Sequence, residues 1–377
     1  MSEPGMGRPY RVIVWGPGHI GGTTLREVIR RPEFDLVGVK VYSEAKSGTD
    51  AGELIGLPPT GVKATTDRDE ILALEADVVL FTPRPMDREQ IDADVIALLE
   101  SGKNVISTES HHFPRIGGVD YERRFIDAGR AGEATLHGTG IHPSFFAERL
   151  GVTLTGLFTE VEQVKFVEAA NVAGALHYPP EIIQMIGFNR APAEFTPTDP
   201  GAVMMDHYYR GTVTYMVYKL FGVEPEEVRV ESDFQGIPTE KAIDSDGFKI
   251  EAGKSAVAVR THRGYIGDRL VYTNVEYWYW GLEARYLGPE GEVPFGSGDS
   301  NLDYIIDITG RPGHIRLRLD VGDNTGDDIP VATWLSVTTL LQSIRPVVAA
   351  DPGIFYHDPS PNISDLRPTS AVAKEVK

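Results

Sequence analysis

The sequence contains no cysteine, which excludes several kinds of site at once. Without thiols the chain can form no disulfide, no thiolate nucleophile and no metal site with cysteine ligands. The absence fits a reducing compartment, and residues 1–9 lack the apolar core of a secretory signal peptide. We therefore expect a cytoplasmic protein.

Positive charge is also scarce, since 36 Lys and Arg face 55 Asp and Glu and the formal net charge is −19. Such a chain repels phosphate backbones and anionic lipid surfaces, and no local cluster of Lys and Arg reverses this effect. Apolar runs of the roughly 18 residues that span a bilayer are absent as well. The composition argues against nucleic acid and membrane partners.

The length and composition are those of a globular protein with more than one core. Apolar residues make up 41% and charged residues 24% of the 377 residues, which is close to average. At roughly 150 residues per domain, the length allows two or three domains. We predict a dinucleotide-binding domain over residues 1–150 and a second domain over 151–327. A segment over 328–377 should carry a helix that returns to the first domain, followed by a tail.

The first 150 residues alternate short β-branched runs with amphipathic stretches, the pattern of a doubly wound parallel sheet. Asp67 is placed to cap one helix and Gly102 to end another. The predicted strands cover residues 11–15, 35–42, 76–81, 104–108 and 134–137. These features predict an α/β Rossmann domain.

The second half has longer β-rich stretches, over residues 254–260, 269–280 and 315–321. Their spacing favours a mostly antiparallel or mixed sheet in an α+β domain. We expect this domain to contact substrate and a second subunit. Apolar residues at helical spacing predict one long helix within residues 328–350.

A G-x-G-x-x-G motif, Gly-Pro-Gly-His-Ile-Gly, lies between an apolar strand and an amphipathic helix. Gly16 permits the tight turn, Gly18 lets the backbone approach a pyrophosphate, and Gly21 lets helix and strand pack closely. The helix N-terminus then faces the phosphate charge. The motif predicts a site for NAD or NADP that also includes His19 and Ile20. The alternative is a glycine-rich turn without a ligand.

The end of the second predicted strand bears on the choice between NAD and NADP. Ser43 and Lys46 are suited to a 2′-phosphate, whereas Glu44 is suited to a ribose 2′-hydroxyl. We favour NADP on this basis, with a solvated loop lysine as the alternative for Lys46. Thr82 and Pro83 follow a later strand, at the edge where ligands of such sheets bind. We expect their backbone to contact the cofactor.

A carboxylate and a histidine follow the last two predicted strands. Glu109 comes directly after strand 104–108, where the nicotinamide is expected, and a carboxylate there can act as a general base. A helix-capping or surface carboxylate is the alternative. Gly140, His142 and Phe145 lie in a loop after the next strand, and its glycines allow a close approach to a ligand. We expect these three residues to bind substrate.

Other chemistries find little support in the sequence. His111 and His112 are adjacent and would point to opposite faces of a strand, which suits paired metal ligands poorly. The chain has no H-E-x-x-H motif and no G-x-S-x-G motif between a strand and a helix. We therefore expect neither a metal site nor an acyl-enzyme.

The glycine motif and several further segments resemble dihydrodipicolinate reductase N-terminal-like proteins, and most closely the 2,4-diaminopentanoate dehydrogenases and native amine dehydrogenases. The similarity spans nearly the whole chain and is strongest in the first 145 residues. The matching segments are residues 14–21, 47–54, 104–109, 138–140 and 185–188, and the late helix after residue 328.

The resemblance implies a two-domain homodimer that uses NAD or NADP to deaminate an amine oxidatively or to aminate a ketone or aldehyde reductively. In these proteins the glutamate that matches Glu109 is the catalytic acid/base. The paired-histidine and lysine–aspartate–alanine–proline–serine–glycine segments of dihydrodipicolinate reductase are absent here, so that reaction is not expected. The diaminopentanoate enzymes have asparagine where His142 stands, so the substrate pocket should differ there.

Two alternatives to an amine dehydrogenase stay open at this point. One is a carbonyl or imine reductase of another substrate class, which would not need ammonia for turnover. The other is a non-catalytic dinucleotide-binding regulatory protein, since a fold does not determine a function. Glu109 argues against the regulatory protein, because a sensor needs no carboxylate beside the nicotinamide.

Overall fold

The structure is a computed structural model, and it describes residues 8–83, 87–109, 111–173, 179–196, 198–281, 284, 302–322, 326 and 329–357. Backbone contacts divide the chain into two compact units. The first unit comprises Met1–Ser144 and Thr333–His357, and the second comprises Phe145–Ala332 and Asp358–Lys377. The units divide near, but not at, the predicted domain limits of residues 150 and 327, which stay predictions.

The described residues form strands and α-helices with the following bounds. The strands are β1 (Tyr10–Trp15), β2 (Phe34–Lys40), β3 (Ala64–Thr65), β4 (Val78–Phe81), β5 (Asn104–Ser107), β6 (Thr135–Gly138), β7 (Glu160–Asn171), β8 (Arg229–Pro238), β9 (Ile243–Ser245), β10 (Phe248–Ile250), β11 (Ser255–Ile266), β12 (Arg269–Tyr279), β13 (Leu302–Arg311), β14 (His314–Val321) and β15 (Gly353–Ile354). The helices are α1 (His19–Arg30), α2 (Arg68–Ala73), α3 (Arg88–Glu100), α4 (Val119–Ala131), α5 (Val152–Thr155), α6 (Pro180–Met185), α7 (Pro200–Phe221) and α8 (Val331–Val348).

The first unit is built on a seven-strand sheet of described residues, ordered β15-β6-β5-β4-β1-β2-β3. All neighbouring strands in it run parallel. The first six strands in chain order have the 3-2-1-4-5-6 arrangement of dinucleotide-binding sheets. The strand order reverses between β1 and β4, and such sheets bind ligands at the carboxyl ends of the strands there. The predicted α/β Rossmann fold is confirmed.

Both faces of this sheet are buried, which explains why its strands read as continuous apolar runs. Val12 and Val14 pack in a layer with α1 and α8, whereas Ile13 and Trp15 pack in the opposite layer with α2, α3 and α4. The alternation follows from the two-residue period of a strand. Leu340 of α8 is fully buried in the first layer, so this late helix covers one face of the sheet.

Local sequence signals predicted some element ends and missed others. Asp67 caps α2, as expected, and accepts hydrogen bonds from the backbone N–H groups of Asp69 (2.8 Å) and Glu70 (3.2 Å). The second strand was expected to reach residue 42, but β2 ends at Lys40. Neither β3 nor β15 was predicted, because each has only two residues and exists through pairing with a neighbouring strand.

The second unit contains a six-strand sheet of described residues, ordered β14-β13-β7-β12-β11-β8, and the separate pair β9-β10. β7 and β12 are parallel while the other neighbours are antiparallel, so the predicted mixed sheet is confirmed. α7 packs on β8, β11 and β12. The sequence pattern did not predict β7, β13 or α7, because buried polar residues such as Glu168, Asp303 and Thr212 interrupt their apolar periodicity. Among the described helices, none is both long and apolar enough to cross a membrane.

Candidate active site

The segments that follow β1, β4, β5 and β6 lie side by side at the carboxyl edge of the parallel sheet. Backbone hydrogen bonds tie each segment to the neighbouring strand. These bonds run from Thr82 N to Trp15 O (2.9 Å), from Thr108 N to Phe81 O (3.1 Å) and from Thr139 N to Ser107 O (2.9 Å). One edge therefore carries the glycine motif, the Thr82 segment, Glu109 and the loop of residues 140–142.

Two glycines of the motif are required by the packing of the loop itself. Gly16 has a φ of +83°, and a Cβ there would lie 2.5 Å from Thr82 O. A Cβ on Gly21 would lie 2.2 Å from Gly16 O and 2.4 Å from Thr82 Oγ1. Gly18 differs, because the nearest atom to its Cβ would be Gly16 O at 4.0 Å. Packing within the protein therefore does not require glycine at this position. A pyrophosphate that approaches the backbone closely does require it.

The hydroxyl of Thr82 is used within the protein to hold the glycine motif. Its buried Oγ1 lies 3.1 Å from both Trp15 O and Gly16 O and donates to this turn. Pro83, the next residue, is buried as well. Only backbone atoms of these two residues remain suited to a cofactor, and that contact stays a prediction.

The N-terminus of α1 follows the motif directly. Gly18 is the N-cap, and no side chain among the described residues caps this helix with a hydrogen bond. Helix N-termini attract phosphate through their N–H groups, and a side-chain cap would compete for the same groups. Of the two other predicted contacts, His19 is exposed with Nε2 at 2.8 Å from Thr333 Oγ1, and Ile20 packs against the core. The loop and helix therefore fit a dinucleotide pyrophosphate.

The segment predicted to select the cofactor forms a short exposed turn. Glu44–Lys46 make one 3-10 turn directly after Ser43. The side chains of Ser43, Glu44 and Lys46 are all exposed, beyond the end of β2. The turn thus exposes the Glu44 carboxylate, which suits NAD, and the polar groups of Ser43 and Lys46, which suit the 2′-phosphate of NADP. Both cofactors are therefore chemically feasible.

Lys40 is a buried cation at the end of β2 and was not predicted from the sequence. Its Nζ lies 5.3 Å from the ring centroid of Trp15 and 5.0 Å from that of Tyr42, and it donates to Val41 O at 2.9 Å. Burial lowers the pKa of Lys40, although nearby carboxylates oppose the effect. In the sequence, only Trp15 at the end of β1 and Tyr42 just after β2 could have indicated the aromatic surroundings of Lys40.

Glu109 is half-buried and lies two residues after the end of β5. Its backbone N–H donates to Ser107 Oγ at 3.1 Å, and its carbonyl accepts from the N–H of His111 at 2.6 Å. The carboxylate also acts on Arg88. Burial alone would lower the pKa of Arg88, but Tyr121, Asp92 and Glu109 raise it above its usual value. The backbone position and the charge environment of Glu109 are thus both defined by neighbouring side chains.

The adjacent histidines, His111 and His112, lie beyond the strand that precedes them, as the predicted strand limit of residue 108 implies. β5 ends at Ser107, so both histidines follow the strand. The ring of His111 is buried, with Nδ1 at 2.9 Å from Ser107 Oγ and Nε2 at 3.1 Å from Asp92 Oδ1. His112 is half-buried. Asp92 lies among the apolar positions of α3 in the sequence, which indicates a buried acid there but does not identify His111 as its partner.

The residues predicted to bind substrate fall into two groups. Gly140 and His142 follow β6 at the sheet edge, where His142 is buried and precedes a cis peptide bond to Pro143. Phe145 is exposed and is the first residue of the second unit, with its ring 5.4 Å from the guanidinium of Arg149. The structure therefore brings Gly140 and His142 to the edge that carries Glu109, while Phe145 belongs to the other unit.

A buried ionic cluster in the second unit was not predicted from the sequence. His262 Nε2 lies 3.1 Å from Asp206 Oδ1, and its Nδ1 lies 3.3 Å from Glu276 Oε2. Burial alone would lower the pKa of His262, but the two carboxylates raise it to about 9. The ring is therefore cationic at neutral pH. Among the described residues, no set of three His, Asp or Glu side chains is arranged to hold a metal ion.

Comparison with known proteins identifies similar sequences and structures. A profile of the N-terminus of dihydrodipicolinate reductase matches residues 10–107. The amine dehydrogenase of Streptomyces virginiae is 25% identical over 351 residues, which cover 91% of this chain and 94% of that protein. The amine dehydrogenase structure from Mycobacterium smegmatis aligns with a TM-score of 0.69 and 20% identity, covering 92% of this chain and 94% of the other.

A more distant structure, scyllo-inositol dehydrogenase from Lactobacillus casei with bound NAD(H) and scyllo-inositol, aligns with a TM-score of 0.54. It is 11% identical and covers 92% of each chain, so the likeness concerns the fold. The predicted resemblance is confirmed by these matches. The chain is similar to an amine dehydrogenase over 91% of its length, and residues 10–107 are similar to the N-terminus of dihydrodipicolinate reductase.

Proposed function

We propose that this protein is an NAD(P)-dependent amine dehydrogenase, which interconverts an amine with a ketone or aldehyde and ammonia. The observation that carries the proposal is Glu109, a half-buried carboxylate on the sheet edge that also carries the glycine motif. Its strand, β5, is separated from β1 only by β4. Similarity to the Streptomyces virginiae enzyme supports both the oxidoreductase class and the amine substrate.

The glycine motif and the start of α1 would hold the pyrophosphate of the cofactor. Gly18 leaves room for its close approach, and the uncapped helix N-terminus favours its negative charge. Ser43 and Lys46 in the exposed turn favour NADP, because they can bind a 2′-phosphate, whereas Glu44 would serve NAD. When bound in reduced form, the nicotinamide supplies the hydride that the amination requires.

Glu109 would move the protons of the reaction. In amination, its carboxylate takes a proton from ammonia as the nitrogen attacks the carbonyl carbon. It returns this proton to the oxygen, which gives a neutral carbinolamine. A second proton, taken up from solvent by the carboxylate, then goes to the departing hydroxyl, so that water leaves and an iminium cation forms. The ionised carboxylate stabilises this cation electrostatically until hydride addition yields the amine. Deamination follows the same steps in reverse.

We also propose that Gly140, His142 and Phe145 contact the substrate, a small amine or carbonyl compound. His142 is buried in the loop that follows β6 and can orient a polar group of the substrate. A homodimer is proposed from the family resemblance. The lack of cysteine supports a cytoplasmic location. The net charge of −19 argues against nucleic acid and membrane partners.

The decisive experiment measures NADPH and NADH oxidation with a panel of small ketones and aldehydes, with and without ammonium, under mildly alkaline conditions. We expect oxidation that depends on ammonium and yields the amine, which mass spectrometry identifies. Ammonium-independent oxidation with an alcohol product would show a carbonyl reductase instead. Tight cofactor binding without turnover of any panel member would favour a non-catalytic regulatory protein.

Replacing Glu109 with glutamine tests the acid/base directly. Glu109→Gln keeps the side-chain volume but removes the base, so turnover should fall by about 100-fold or more while cofactor affinity is kept. Glu89→Gln is the matched control, because Glu89 is an exposed carboxylate on α3 of the same unit. Unchanged turnover in Glu109→Gln would remove this residue from the mechanism.

A further inference from the structure

We propose that Asp92 is a positioning residue for Glu109, which it holds both through the backbone and through a neighbouring positive charge. The inference rests on the proposed function, because that function makes Glu109 the acid/base. Asp92 lies in α3, outside the loops at the sheet edge. Two series of contacts lead from its carboxylate to Glu109, one through His111 and Ser107 and the other through Arg88.

The first series holds the backbone of Glu109. Asp92 Oδ1 lies 3.1 Å from His111 Nε2, and His111 Nδ1 lies 2.9 Å from Ser107 Oγ. Ser107 Oγ accepts from the Glu109 N–H at 3.1 Å, while the Glu109 carbonyl accepts from the His111 N–H at 2.6 Å. The peptide groups on both sides of the Glu109 side chain are therefore fixed by this series.

The proton positions in the first series follow from its chemistry. Burial lowers the pKa of His111, although Asp92 opposes the effect, so the ring is neutral near pH 7. A carboxylate only accepts hydrogen bonds, so Nε2 carries the proton and donates to Asp92. Nδ1 then accepts from the Ser107 hydroxyl, whose oxygen accepts in turn from Glu109. Each donor in this series has a matching acceptor, which defines a single arrangement.

The second series presents a positive charge to the Glu109 carboxylate. Arg88 Nε lies 3.1 Å from Asp92 Oδ1 and 3.0 Å from the hydroxyl oxygen of Tyr121. That hydroxyl donates to Asp92 Oδ2 at 2.7 Å. The guanidinium also interacts electrostatically with Glu109. Asp92 thus anchors the cation that balances the charge of Glu109.

The surroundings of Asp92 argue that these polar groups do more than fill the core. Asp92, His111 and Ser107 are each 0% exposed, and the His111 ring packs edge-on against Phe125 at 5.4 Å. Burying a carboxylate in an apolar layer costs free energy that its hydrogen bonds only offset, and apolar replacements often stabilise a protein. The benefit of the arrangement is therefore the geometry that it imposes on Glu109.

Asp94 offers a matched control on the same helix. It is also buried and ion-paired, with Oδ1 at 2.9 Å from Arg68 Nε. Within the described part of the chain, its hydrogen-bond and ion-pair partners are Arg68 and Gln90, which do not connect it to Glu109. Asp92→Asn and Asp94→Asn therefore make the same chemical change in similar surroundings, and only the first touches the proposed series.

The experiment uses the panel compound with the highest ammonium-dependent rate. In Asp92→Asn we expect kcat to fall by about 10- to 100-fold, because small misplacements of a catalytic group cost that much. Cofactor Kd and the KM values should stay within about twofold of the parent, and Asp94→Asn should keep its kcat. Added to Glu109→Gln, the Asp92→Asn change should cause no further loss, since it acts through the same group.

Two results would overturn the positioning role alone. These are equal kcat values for Asp92→Asn and Asp94→Asn, or a loss from Asp92→Asn that persists in full on the Glu109→Gln background. Full turnover of Glu109→Gln itself would instead overturn the proposed acid/base and this inference together. If Asp92→Asn does not fold, Ser107→Ala provides the same test, because it removes only the hydroxyl that joins His111 to the Glu109 N–H.

Discussion

Replacing Glu276 with glutamine should remove a pH-dependent part of the stability of the second unit. Glu276 is fully buried, and its Oε2 lies 3.3 Å from Nδ1 of His262. Asp206 lies on the other side of the ring, 3.1 Å from Nε2. Glu276→Gln keeps the size of the side chain but removes one of the two charges that stabilise the imidazolium.

The magnitude follows from the pKa of His262. Burial alone would lower this pKa, but the carboxylates raise it to about 9. Unfolded histidine titrates near 6.5, so the difference of about 2.5 units corresponds to about 3 kcal/mol. Because the folded-state pKa is the higher one, this stability is fully present below about pH 6.5 and is lost as the pH rises through about 9. Glu276 makes the largest favourable contribution, so its loss should cost about 2 kcal/mol near pH 6.

Thermal unfolding of the parent and the variant from about pH 6 to 10 measures this effect. A loss of about 2 kcal/mol in a unit of this size lowers Tm by about 4 to 8 °C. Near pH 10, roughly one unit above the pKa of His262, the variant should be at least as stable as the parent. The control is Glu251→Gln, which removes an exposed carboxylate of the same unit. A Tm difference for Glu276→Gln that is independent of pH would refute the reasoning.

Two further predictions concern the cofactor site. Gly18→Ala should weaken NADPH binding by about tenfold or more at unchanged Tm, because the added methyl meets only Gly16 O, at 4.0 Å. Gly21→Ala should lower both the NADPH affinity and the Tm, since its Cβ would lie 2.2 Å from Gly16 O and overpacking costs about 1–3 kcal/mol. Equal Tm losses in Gly18→Ala and Gly21→Ala would contradict the prediction that only Gly21 is required by packing. Lys46→Ala should weaken NADPH but not NADH in a fluorescence titration, whereas an equal effect on both cofactors would reject a contact with the 2′-phosphate.

Much of the first unit could be predicted because its signals are local. β1 and α1 each show the apolar period of their own secondary structure, and the glycine motif joins them within six residues. The position of Glu109 followed from one strand and from the rule that ligands bind at the carboxyl edge. β15 could not be predicted in this way, since two residues become a strand only by pairing with β6.

The sequence by itself determined the Rossmann class, the dinucleotide loop and the candidate acid/base, because each depends on residues that are close along the chain. Only the tertiary structure decided what surrounds them. Asp92 and His111 are 19 residues apart, and nothing in the sequence pairs them before α3 packs on β5. The same holds for His262, which meets Asp206 of α7 only after that helix packs on β11. Buried polar partners are chosen by packing, and packing has no local signature in the sequence.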